Sequence, residues 1–181
     1  MIKLSEPFFD EEEKKAVLRV MDSGWYIHGK EIEAFEKEFA DFVGTQRALA
    51  CSNGTTAIHL ALQALGIKKD DEVLVPSHTA FPTIEPILNL GAKPVFVDVD
   101  EKHYTLDVKD AAKKITKNTR AILPVHLYGH PAQMDALSTI CKNHGLFLIE
   151  DACQAHGALY KNKHVGSIGN IGCFSFYPSK N

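Results

Sequence analysis

Two side chains in this sequence have the type and the setting for covalent carbonyl chemistry. One is Lys180, presented by the turn that follows the β-like run Gly172-Cys173-Phe174-Ser175-Phe176. The other is acidic: Glu150-Asp151 closes the apolar run 146–149 and opens Ala152-Cys153-Gln154-Ala155-His156-Gly157. A lysine amine can form a Schiff base with an aldehyde. A carboxylate can hold a pyridine nitrogen protonated, so that the ring accepts electrons. Those are the two groups that pyridoxal 5'-phosphate (PLP) asks of a protein.

Other polar residues fall at comparable places. Ser52-Asn53-Gly54-Thr55-Thr56 joins a short apolar run to a helical one. Gly54 would let a phosphate approach the backbone, and the helix start offers free N–H groups, with Thr55 and Thr56 adding hydroxyls. Ser175, five residues before Lys180, could reach the same phosphate. Gln154 lies three residues after Asp151 and could bond the phenolic oxygen of the ring. Each residue also has a plainer use. The Ser52–Thr56 turn can simply cap a helix, Asp151 can be a turn acid, and Lys180 can be a solvated side chain. Spacing alone leaves Glu150 and Asp151 as alternatives. His126, at the end of another apolar run, reads as a hydrogen-bonded structural histidine. Cys153 has no basic partner to activate it and reads as packing. The remaining histidines show no ligand spacing, so no metal site is expected.

The elements that would position these groups alternate in type. Helices are expected over 10–22, across Ile32, Phe35, Phe39 and Phe42, and over 54–65, 82–90 and 134–143. Strands are expected over 47–51, 72–75, 94–97, 121–125, 146–149 and 171–176, with a hairpin tip at 160–164. Near-continuous apolar strands between helices imply a mostly parallel α/β sheet covered on both faces, a three-layer sandwich. In such sheets ligands gather at the carboxyl ends of the strands, which is where these polar motifs fall.

The chain has 181 residues, enough for one sizeable core and one domain. Its net charge of −3, with acids and bases mixed along the chain, gives no nucleic-acid-binding block. The sequence shows no signal peptide and no membrane-spanning run, so a cytoplasmic protein is expected. The four cysteines, Cys51, Cys141, Cys153 and Cys173, are expected as buried reduced thiols. Asn53-Gly54-Thr55 matches a glycosylation pattern by coincidence in such a protein.

Taken together, these stretches resemble the DegT/DnrJ/EryC1/StrS sugar aminotransferases, a branch of the fold type I PLP enzymes. The similarity runs through Ser23-Gly24-Trp25 with the segment around Phe39, then the Ser52–Thr56 turn, Val75-Pro76-Ser77-His78-Thr79, the segment 91–98, and the two motifs carrying Asp151 and Lys180. The resemblance implies the large PLP-binding domain of that fold. It also implies roles. Lys180 is the Schiff-base lysine and proton shuttle, Asp151 the pyridinium partner and Gln154 the contact to the ring oxygen. Gly54, Thr55 and Ser175 hold the phosphate. Some relatives are dehydratases with histidine at the lysine position, so Lys180 favours transamination, from a donor such as glutamate to a keto-sugar nucleotide. Cell-envelope, capsule and antibiotic sugars all fit. Ala80 stands where many relatives have a ring-stacking aromatic, which leaves His78 or Phe81 for that task. Relatives are much longer and act as homodimers. The 181 residues are therefore expected to be the N-terminal part of the large domain, ending just after the lysine and without the small C-terminal domain. They would also lack a later antiparallel strand that bridges the first strand to the last. Such a chain is expected to be inactive alone. A non-catalytic remnant or partner chain, or a PLP-dependent sugar dehydratase of the same family, is the alternative.

Overall fold

A computed structural model describes residues 6–180; Asn181, beside the lysine turn, lies outside them. Five parallel strands form the central sheet: β1 (Glu72–Pro76), β2 (Lys93–Val97), β3 (Thr119–Ile122), β4 (Phe147–Asp151) and, after a two-stranded hairpin of β5 (Leu159–Tyr160) and β6 (Lys163–His164), β7 (Ile171–Cys173). Their order is β2-β1-β3-β4-β7. The strands are apolar because both faces are covered, and their alternation sorts the core into two layers. Val73, Val75, Ala121, Leu123 and Ile149 point to one layer, shared with α3 (Gly54–Ala64) and α4 (Phe81–Asn89). Leu74, Ile122 and Leu148 point to the other, shared with α5 (Val108–Lys114) and α6 (Met134–His144). This is the expected three-layer α/β arrangement.

Helix α1 (Glu11–Ser23) begins where the sequence says it should. Asp10 and Glu13 form a reciprocal capping box, and Gly24 closes the helix in the left-handed region at φ 68°. Helix α2 (Lys30–Val43) lays Phe39 against Phe174 and Phe176, at ring-centroid distances of 4.9 and 5.2 Å. Helix α5 has only two turns and is not predicted from the sequence. Asp107 caps it through the N–H groups of Lys109 and Asp110, and Ala111 is its single fully buried residue. Among the described residues no helix is long and apolar enough to cross a membrane.

One predicted strand is not there. Residues 47–51 form no ladder: they are unpaired, Leu49 is 88% exposed, and the Ala50 N–H donates to the Glu36 carboxylate at 2.8 Å. A strand needs a neighbour about 4.8 Å away. Here a cleft of about 1140 Å³ separates this segment from the chain around β7, lined by Ala48, Ala50 and Cys51 on one side and by Asn170, Gly172 and Phe174 on the other. The expectation of four buried thiols fails at the same place. All four are free, but Cys51 is exposed on this unpaired segment and Cys153 is half-buried. Two strands are shorter than the sequence suggests. β3 stops at Ile122 because Pro124 has no N–H to give, although its carbonyl still accepts from Asp151 N–H at 3.0 Å. β7 stops at Cys173, and residues 174–176 run on without a ladder.

Candidate functional site

Side-chain parity along β4 separates the two adjacent acids. Glu150 points to the same side as Leu148, and Asp151 to the same side as Ile149, because successive residues of a strand face opposite ways. Glu150 is fully buried and fully used. Its Oε2 accepts from His126 Nε2 at 3.0 Å and Gly166 N at 2.8 Å, and its Oε1 from Ile168 N and Gly169 N at 2.7 and 2.6 Å. His126, also buried, accepts the Ala132 N–H on Nδ1 at 3.1 Å, which makes Nε2 its donor. Burial pushes the Glu150 carboxyl up. The bonds from His126, Gly169 and Gly166 outweigh burial and hold it below its ordinary value. Glu150 therefore fixes the loop between β6 and β7, and His126 is the structural histidine that the sequence predicts.

Asp151 is the free-facing acid. It is 4% exposed at the carboxyl end of β4, with Oδ2 accepting from the Thr83 hydroxyl at 2.8 Å and Oδ1 from Cys153 N–H at 3.1 Å. Thr83, in the first turn of α4, lies in turn 2.7 Å from the Thr79 hydroxyl. Neither threonine stands out as a functional residue in the sequence. The signal was their i, i+4 spacing across the helix start at Phe81-Pro82, which puts both on one side of the turn.

Gln154 is half-buried after β4. Its Oε1 accepts from Tyr128 N–H at 3.0 Å, which leaves its amide N–H groups as donors, the polarity a phenolate oxygen needs. Tyr128 holds a left-handed backbone at φ 54°, and its hydroxyl lies 3.3 Å from His78 Nε2. Both aromatics near Ala80 are exposed, and His78 is the one with a side-chain partner in this network.

The Ser52–Thr56 turn is built by close approach. Asn53 caps α3 by accepting the Thr56 N–H at 2.8 Å. A first helical turn leaves its leading N–H groups without intrahelical partners, so those of Gly54 and Thr55 stay available. Gly54 is buried so tightly that a Cβ there would come 2.9 Å from Ser175 Cβ and 3.0 Å from Cys153 Sγ. The structure thus brings Gly54, Ser175 and Cys153 together, with Thr55 on the same turn. Lys180 is half-buried, its N–H donating to the Tyr177 carbonyl at 2.7 Å. Its charge is felt by His156, which packs 5.1 Å from the Phe176 ring. Burial first, and then Lys180, push the His156 pKa below its ordinary value. Burial and the neighbouring Asp151 charge push the Cys153 thiol far up, so it is no nucleophile.

These residues fit PLP. The close packing of Gly54 on Ser175 sets the first-turn N–H groups of α3 beside the Ser175 side chain, which suits a phosphate; the donor amide of Gln154 suits the ring oxygen, and the pinned Asp151 carboxylate suits a pyridine N–H. An α/β sheet carrying such a set at the carboxyl ends of its strands has the form of the large domain of fold type I PLP enzymes. The sequence profile of the DegT/DnrJ/EryC1/StrS aminotransferase family matches residues 7–181, and the chain belongs to that family. It is 49% identical over 170 residues to the dTDP-3-amino-3,4,6-trideoxy-alpha-D-glucose transaminase of Streptomyces venezuelae, covering 94% of this chain and 45% of that one. The crystal structure of DesV from S. venezuelae superposes with a TM-score of 0.91 at 49% identity, over 93% of this chain and 46% of that one. The GDP-4-keto-6-deoxy-D-mannose-3-dehydratase of E. coli, solved with hydrated PLP, gives a TM-score of 0.93 at 33% identity, over 98% and 47%. The chain spans about half the length of the relatives it matches.

Proposed function

We propose that this chain forms the cofactor-binding part of a PLP-dependent sugar aminotransferase, which moves an amino group from a donor such as glutamate to a keto-sugar nucleotide. The observation that carries this reading is the placement of Asp151. It is a buried carboxylate with one protein donor on each oxygen, at the strand ends where the Gly54–Ser175 cradle also opens. When bound, PLP supplies an electron sink at the carbon that exchanges its amine. The protein does the rest. The N–H groups of Gly54 and Thr55 with the Ser175 hydroxyl take the phosphate, Gln154 donates to the ring oxygen, and Asp151 keeps the ring nitrogen protonated. Lys180 Nζ is the covalent anchor and the base that carries the proton. Relatives named as transaminases of nucleotide sugars support the substrate class.

The 181 residues do not turn over by themselves. The unpaired segment 47–51 and the cleft beside β7 support this, because among the described residues they leave the outer edge of β7 without a strand partner on the side of the site. Catalysis would need the longer polypeptide, paired as a homodimer in the cytoplasm.

The test is borohydride reduction of the full-length polypeptide incubated with PLP, followed by peptide mapping, and product analysis with a keto-sugar nucleotide and glutamate. A pyridoxyl group on Lys180 and an amino-sugar product are expected. Label on another lysine with Lys180 unmodified would overturn the site. A deoxygenated sugar without new amine would replace transamination by dehydration.

A further inference from the structure

We propose that Thr83 is the positioning residue that holds the Asp151 carboxylate in the orientation the cofactor requires, with Thr79 fixing the direction of the hydrogen bonds. This rests on the reading that PLP occupies the site. An ionised carboxylate only accepts, and a threonine hydroxyl has one hydrogen. Thr83 must therefore spend its hydrogen on Asp151 Oδ2, 2.8 Å away. The contact of 2.7 Å between Thr83 and Thr79 then has only one polarity left, with Thr79 donating. The result is a one-way chain from the exit of β1, through the first turn of α4, to the end of β4.

Three features separate this from ordinary packing. Thr83 sends its hydroxyl hydrogen across the fold to a residue 68 positions away rather than to a neighbour in its own helix. Thr83 is only 2% exposed, so water does not replace the bond if it is lost. The bond falls on one carboxylate oxygen while Cys153 N–H holds the other, which fixes the carboxylate plane from both sides. A carboxylate pinned in this way presents its remaining lone pairs in one direction, as a ring N–H needs. The first turn of α4 adds a favourable positive potential beside the same anion.

The experiment uses the full-length polypeptide loaded with PLP labelled with ¹⁵N in the ring. The ¹⁵N shift separates protonated from unprotonated pyridine, a readout that does not depend on turnover. In the wild type the nitrogen is expected protonated. Thr83→Val, which keeps the volume and removes the hydroxyl, should move the shift toward the unprotonated value. It should also lower kcat for the glutamate half-reaction roughly ten- to a hundredfold, the weight of one hydrogen bond to a charged group, with KM little changed. Thr83→Ser should restore both. Thr79→Val should shift in the same direction by less, and it decides the matter if Thr83→Val does not fold.

A wild type that binds no PLP would overturn the cofactor reading and this proposal with it. A wild type with a protonated ring, together with Thr83→Val or Thr79→Val spectra indistinguishable from it, would overturn the role of the hydroxyl chain alone. So would a Thr83→Ser variant that behaves like valine.

Discussion

Replacing Glu150 by glutamine puts an amide NH2 into a pocket that offers only donors. The carboxylate accepts four bonds there, two on each oxygen: His126 and Gly166 on Oε2, Ile168 and Gly169 on Oε1. Whichever way the amide turns, two donors lose their acceptor and meet N–H groups instead. A hydrogen bond to a charged group contributes about 1.5–3 kcal/mol, so losing two costs roughly 3–6 kcal/mol. Against this, a buried charge no longer has to be stripped of water, which recovers a few kcal/mol. The net expectation is a loss of about 3 kcal/mol, or roughly 6–12 °C in Tm for a chain of this size. Urea titration followed by far-UV circular dichroism measures it.

The pH dependence gives a second, independent mark. The folded Glu150 carboxyl lies below its ordinary value of 4.5. A depressed folded pKa stabilises fully above the unfolded value and stops doing so as pH falls through the folded one. The wild type should therefore lose stability steeply below pH 4.5, and Glu150→Gln should lack that part of the slope. If Glu150→Gln lies within about 0.5 kcal/mol of wild type at neutral pH, the four-bond pocket is not what holds this loop.

Other substitutions probe the site rather than the fold. Asp151→Asn should leave urea stability within about 1 kcal/mol while lowering the half-reaction rate with glutamate at least tenfold in the full-length polypeptide, the reverse of the Glu150→Gln pattern; stopped-flow absorbance checks it. Gly54→Ala should weaken PLP affinity by at least tenfold on the order of one lost contact, since its Cβ would meet Ser175 Cβ at 2.9 Å; a PLP titration by absorbance reads the change. A thiol reagent should modify the exposed Cys51 first. The buried Cys141, whose pKa is pushed up to about 12 by burial, should react only with unfolding, and mass-mapped labelling over time gives the order.

What the sequence reveals and what it hides follow from the range of each interaction. Helix α1 is legible because its signals are local: Asp10, Glu13 and Gly24 act within a turn of the helix they bound. The strands β1 and β4 are legible because burial on both faces fills them with the apolar runs Val73-Leu74-Val75 and Leu148-Ile149. Residues 47–51 have the same apolar look, yet a strand is a relation between two segments, and the cleft beside β7 leaves this one without its neighbour. Local composition cannot report a missing partner. Helix α5 escapes notice for the opposite reason. It is too short for a period, and it exists because Asp107 caps it and Ala111 seats it on the sheet.

The choice between Glu150 and Asp151 shows the same limit at the site. Alternation says that the two acids face opposite ways, but not which way carries the chemistry. The deciding residues lie far off in the chain. His126 and the 166–169 loop close around Glu150 and consume all its acceptor capacity, while Thr83 and Cys153 take only one bond on each Asp151 oxygen and leave it room for another donor. A saturated carboxylate is a structural element, while one with spare lone pairs at a strand end can still accept a ligand's donor. Counting bonds on each oxygen therefore favours Asp151 as the proposed cofactor partner where spacing could not choose, and it does so through Thr83, a residue that the sequence presents as an ordinary helix-start threonine.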